Sequence, residues 1–140
     1  MTILYRTEVT AIGGRAGCAA SADGTLRLRL SAPVALGGTG GAGTNPEQLF
    51  GAGYAACFLS ALKFAALHCG IDLPADASVT ASVALGIEEG EDGVPLDISL
   101  ALDLPGLNHE AAKALAEAAH RACPYSRALA GGIDVRTSIA

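Results

Sequence analysis

Residues 44–70 read TNPEQLFGAGYAACFLSALKFAALHCG. This stretch decides the architecture, because it holds both ends of a helix and an apolar body between them. Asn45 or Thr44 can cap the start. Pro46 suits the first helical position, and Glu47 favours the positive end of the helix dipole. The pattern predicts a helix running to about His68 and ended by Gly70. Small residues at Gly53, Ala56, Ser60 and Ala61 recur at helical spacing and let another backbone approach closely. The apolar run from Leu49 to Leu67 is nearly long enough to span a bilayer. It is broken by Gly51, Gly53, Ser60 and Lys63, so a helix buried in a protein core or a subunit interface fits better.

Upstream, Ile3 to Ala11 alternates as a strand does. Gly13-Gly14 makes a turn and Arg15 follows it. A short strand over Cys18–Ser21, a turn at Asp23-Gly24 and a strand over Leu26–Leu30 complete a meander. The glycine-rich loop from Leu36 to Gly43 lacks the Gly-Lys-Ser/Thr ending of a phosphate loop. It reads as backbone passing close to another segment. Downstream, Ser78–Glu88 and Leu96–Leu104 read as two strands joined through 89–93. Asn108 can cap a second helix from His109 to about Cys123, with Pro124 in its final turn or just beyond. Ile133–Ile139 reads as a closing strand. The order defines an α+β class, with 1–140 as a single domain.

Half of the 140 residues are hydrophobic (51%), enough for a core dominated by Ala, Leu and Val. The net charge of −5 comes without any basic stripe, which argues against nucleic-acid binding. Arg6 and Glu8 fall where a secretion signal would carry its apolar stretch, so a cytoplasmic location is expected.

Cysteines stand at 18, 57, 69 and 123. In a reducing compartment a structural disulfide framework is not expected. No pair has the spacing of a zinc knuckle or of a Cys-x-x-Cys motif. A mid-helix cysteine such as Cys57 is more often a small buried hydrophobe than a nucleophile. Cys123 before Pro124 is, alone, no more informative. Cys18 and Cys69 read as structural or incidental; Cys69 ends a helix, where negative partial charge disfavours a thiolate.

Arg15 and Glu47 gain meaning only beside a reactive thiol. A free thiol, with a pKa near ~8.5, is mostly protonated at neutral pH. A guanidinium within reach favours the charged sulfur, and a carboxylate gripping it in a fork fixes its position. Glu47 and Cys57 are ten residues apart, about 15 Å along a straight helix. Either the helix bends near Gly51 and Gly53 or the site is assembled from two subunits. In both cases Arg15 must bridge the gap.

Several blocks, taken in order, resemble the organic hydroperoxide resistance proteins. They are Gly13-Gly-Arg-Ala-Gly17, Gly40-Gly-Ala-Gly-Thr-Asn-Pro-Glu-Gln-Leu-Phe50 and Ala52-Gly-Tyr-Ala-Ala-Cys-Phe58. Further on come Pro74-Ala-Asp-Ala-Ser-Val79, Leu104-Pro-Gly106, Ala118-Ala-His-Arg-Ala-Cys-Pro-Tyr-Ser126 and Ile133-Asp-Val135. The resemblance covers essentially the whole chain. The related osmotically inducible protein C branch typically has His at the position of Tyr54 and lacks the Tyr at 125.

The resemblance implies an OsmC-like fold: two small antiparallel sheets around a long central helix, in an intertwined homodimer with its sites at the subunit interface. It implies a thiol peroxidase acting on alkyl and fatty-acid hydroperoxides. Cys57 would be the peroxidatic cysteine and Cys123 its resolving partner. Arg15 would activate the thiolate and Glu47 would hold Arg15. No cofactor is implied beyond an external dithiol, notably lipoyl groups on proteins. Phe50, Tyr54, Phe58 and Tyr125 are expected around the substrate from their proximity to the two thiols. Arg127 departs from the small polar residue common in the family, and Cys18 and Cys69 are not family catalytic positions. Two rivals share these residues: a non-catalytic domain of the same fold that binds a hydrophobic ligand, and a redox sensor.

Overall fold

The computed structural model describes residues 1–87, 89–90 and 93–131. Its contacts group into two compact units, Met1–Leu49 and Phe50–Ala140.

The first unit is an antiparallel meander of β1 (Val9–Ile12), β2 (Cys18–Ser21) and β3 (Arg27–Arg29), paired in that order. The expected strand from Ile3 is corrected: pairing starts at Val9↔Ser21. Ser21 is the last residue of β2 before the Asp23-Gly24 turn, and among the described residues no strand pairs with residues 3–7. Ile3, Leu4 and Tyr5 remain exposed. At the other end β1 runs one residue further than expected, to Ile12, opposite Cys18. β3 is also shorter than Leu26–Leu30, because the Leu26 N–H donates to the Ser21 hydroxyl and becomes part of the turn. Leu30 instead forms a parallel bridge with Thr44. The glycine loop does bring backbones together, as its composition suggests. A side chain at Gly43 would fall 2.6 Å from the Leu30 carbonyl carbon.

The long helix α1 (Pro46–Cys69) starts and stops where its sequence signals lie. The Asn45 side chain accepts from the Gln48 N–H at 2.9 Å. At the far end the Ile71 N–H donates to Ala66 and the Gly70 N–H to Leu67, a Schellman closure with Gly70 at φ +66°. The helix is continuous through Gly51 and Gly53. By length and composition it is apolar enough to cross a membrane. In the second unit it is the core helix, with Phe58 and Leu62 completely buried.

The second unit adds the hairpin β4 (Ser78–Leu85) and β5 (Leu96–Asp103). Val79↔Leu102, Ala81↔Leu100 and Val83↔Ile98 face inward as period-2 alternation requires. β4 ends at Leu85 rather than Glu88. After the Leu85↔Leu96 pair comes Pro95, which has no N–H for a further rung. Helix α2 (His109–Ala122) is capped by Asn108, whose side chain accepts from the Ala111 N–H at 2.8 Å. Leu115 and Ala119 carry its inner face onto Phe58, Leu62 and Ala65. Full burial contributes roughly 1.5–3 kcal/mol for each such large side chain.

One element was not anticipated. Pro124 does not sit in the last turn of α2 but opens a new helix, α3 (Pro124–Gly131). Pro disfavours helical geometry in the residue before it, and Cys123 accordingly adopts φ −70°, ψ 121°. The same ring suits the first position of the helix that follows. The expected strand Ile133–Ile139 lies outside the described residues.

Candidate active site

Phe50, Tyr54 and Cys57 are spaced four and three apart along α1 and so share one face of it. Cys123 reaches that face because the chain breaks between α2 and α3. Its sulfur lies 3.6 Å from that of Cys57, with both thiols free. Cys123 is completely buried and Cys57 partly so. The two predicted cysteines therefore meet, although 66 positions separate them.

Burial pushes the Cys57 thiol up, because a thiolate loses solvation there. The backbone amide of Tyr125, in the first turn of α3, opposes this by favouring the charged sulfur. The neighbouring Cys123 pushes it further up.

Arg15 stands on a 3-10 turn (Gly14–Ala16) in the first unit. It donates from both terminal nitrogens to Glu47, at 2.8 and 2.7 Å, the forked geometry expected of the pair. The Arg15 hydrogen bond holds the Glu47 carboxyl below its usual range, and partial burial opposes it. A carboxyl lowered in this way stabilises the fold above its unfolded value, about 4.3, and that contribution is lost as the pH falls through the lowered value. The Arg15 side chain is 43% exposed, so screening keeps the effect small. Glu47→Gln is expected to lower the melting temperature slightly at neutral pH, and the gap from wild type should close below about pH 4. A gap unchanged across an acid titration would show that the ion pair does not stabilise the fold.

The four aromatic residues divide into two pairs. Tyr125 is 40% exposed and stacks on Tyr54, with ring centres 5.8 Å apart and planes 16° apart. Phe50 meets both edge-on, at 6.0 and 6.1 Å. Tyr54 and Phe58 are only 5% and 0% exposed. Phe58 packs against His120 and the core, so its place in the substrate lining is corrected. It meets Tyr54, four residues back on the same helix face, edge-on at 6.3 Å, and lies on the buried side of that ring. Gly53 has a specific role here: a side chain on it would come 2.9 Å from the Tyr125 hydroxyl.

Two residues of this site escaped the sequence reading. The Ser126 hydroxyl shares one hydrogen bond with Tyr54 Oη (2.9 Å) and another with His120 Nδ1 (3.0 Å). Spacing carries no signal for it, since Tyr54 and Ser126 are 72 positions apart.

The second unit thus holds two free thiols in near contact beside an aromatic cluster. The chain belongs to the OsmC-like family and, within it, to the organic hydroperoxide resistance proteins. The family model described as OsmC-like protein matches residues 38–138. The organic hydroperoxide resistance protein of Xanthomonas axonopodis pv. citri is 45% identical over 138 residues, covering 99% of this chain and 96% of that one. A crystal structure of an organic hydroperoxide resistance protein from Legionella pneumophila superposes with a TM-score of 0.86 at 46% identity, covering 96% of each chain. That of OhrB from Bacillus subtilis gives 0.82 at 41%, covering 96% of this chain and 97% of that one. Both superpositions cover nearly the whole of this α+β chain.

Proposed function

We propose that this protein is a cysteine-based peroxidase that reduces organic hydroperoxides to alcohols. The observation that carries the reading is the 3.6 Å approach of the Cys57 and Cys123 sulfurs. In the first step the Cys57 thiolate attacks the terminal peroxide oxygen. The O–O bond breaks, an S–O bond forms, and the alkoxide leaves and takes a proton to become the alcohol. Cys57 is now a sulfenic acid. The Cys123 thiol condenses with it, forming the disulfide and releasing water, which protects Cys57 from further oxidation. An external dithiol, such as a lipoyl group on a protein, then attacks the disulfide. Two thiols return to the enzyme as the dithiol is oxidised. The scheme uses no metal or organic cofactor.

Burial opposes thiolate formation at Cys57, so the reaction needs positive charge. Arg15, oriented by Glu47, supplies it in this reading, within a homodimer. Phe50 and Tyr125 offer apolar surface to an alkyl chain, with Tyr54 behind them, which favours bulky hydroperoxides over hydrogen peroxide. Such a dithiol-recycled enzyme is expected to work in the cytoplasm, where thiols are kept reduced.

A steady-state assay tests this directly. With dihydrolipoamide as reductant, an alkyl hydroperoxide is expected to be consumed at least about tenfold more efficiently than hydrogen peroxide. A monothiol donor should support turnover poorly. Equal use of both peroxides, or no turnover with any dithiol, would remove the assignment.

A further inference from the structure

The break between α2 and α3 places the resolving sulfur, and something must hold that break still. Three neighbouring residues are pinned there. Cys123 lies fully buried at the end of α2. The Tyr125 ring lies flat on Tyr54 and over Gly53. The Ser126 hydroxyl, itself 7% exposed, bonds to Tyr54 on α1 and to His120 on α2. A serine hydroxyl has one proton, so it donates to one of these partners and accepts from the other. Both sides of Ser126 are therefore used, and the first turn of α3 is tied to two other helices at one point. The tie sits three residues from the Cys123 sulfur and one from the Tyr125 amide.

We propose that the Tyr54–Ser126–His120 hydrogen-bond chain is a positioning latch for the resolving half of the site, setting the rate at which Cys123 closes on oxidised Cys57. The inference rests on the peroxidase reading above and deepens it. A disulfide needs the sulfurs at about 2.05 Å, and here they begin at 3.6 Å. Rotation of the two side chains can close that gap only if the backbone at Cys123 stays in register with α1. The latch supplies that constraint without touching either sulfur. Ser126, His120 and the Tyr54 hydroxyl are thus positioning groups.

The test is a single-turnover experiment on the intact protein. One equivalent of an alkyl hydroperoxide is mixed with reduced enzyme, and samples are quenched over time with a sulfenic-acid trap. The trapped Cys57 adduct and the Cys57–Cys123 disulfide are then quantified by mass spectrometry. In Ser126→Ala, disulfide formation is expected to slow by about tenfold, since a buried bonding partner is lost. Peroxide consumption in the first step should stay within about threefold of wild type. Ser126→Thr keeps the hydroxyl and should restore most of the closing rate. Leu115→Ala, which opens a cavity in α2, should lower the melting temperature without lengthening the life of the sulfenic acid. Wild-type closing in Ser126→Ala, or equal slowing in Leu115→Ala, would overturn the latch and leave the peroxidase reading intact. A wild-type protein that yields neither adduct nor disulfide would bring down both.

Discussion

Cys57→Ser is expected to abolish dithiol-driven consumption of alkyl hydroperoxide, with a rate loss on the order of a thousandfold or more. The substitution changes one atom and hardly any volume, so the helix and its packing should persist. The chemistry does not persist. A serine hydroxyl is essentially never ionised near neutral pH, and it has no accessible counterpart to a sulfenic acid. Circular dichroism and melting temperature close to wild type would show that the loss is chemical. Retention of activity within about tenfold would remove Cys57 from the mechanism. The same thiol reports on its electrostatics. Burial and Cys123 push it up while the Tyr125 amide pulls it down. A raised thiol reacts with iodoacetamide only as the pH climbs toward its shifted value. If Arg15 offsets that penalty, Arg15→Ala moves the Cys57 alkylation curve to higher pH, by on the order of one unit. A curve that stays put would assign Arg15 a structural role only.

Cys123→Ser should give a different failure. The first turnover proceeds, because Cys57 still meets the peroxide. The sulfenic acid then has no partner and persists, or is driven to sulfinic and sulfonic acids by excess peroxide. Steady-state turnover is expected to fall by about a hundredfold or more, while the first alcohol-forming step remains near wild type. Mass spectrometry after graded peroxide would show oxygen accumulating on Cys57. Cys123 is completely buried, so a serine there risks an unpaired hydroxyl and a loss of about 1–3 kcal/mol in stability. Cys123→Ala avoids that penalty and should show the same kinetic split. Sustained turnover in both variants, with no over-oxidation, would mean that Cys123 is not the resolving thiol.

Much of this site was legible in residue order. The cap at Asn45, Pro46 in the first turn and Gly70 after the last are local signals, and the helix obeys them. The strand Cys18–Ser21 and the inward faces of β4 and β5 likewise follow from short-range alternation. Matching blocks along the chain singled out Cys57, Cys123, Arg15 and Glu47. Two of these pairs then proved to be in contact, each within its own compact unit. The errors share a cause as well. A strand drawn from Ile3 had the right alternation but no partner among the described residues before Val9, and pairing is not a local property. Pro124 was placed in the final turn of the second helix or just beyond it; it lies just beyond, and the helix it opens was not foreseen. Phe58 was placed in the lining by its proximity to Cys57, but it is completely buried behind Tyr54.

Caps and the ends of the long helix were thus written into short stretches of chain, because a cap acts within a few residues. The 3.6 Å meeting of the sulfurs, the tie through Ser126 and the burial of Phe58 were not. They arise from side chains 66 and 72 positions apart, brought together when α1, α2 and α3 exclude water from a common core.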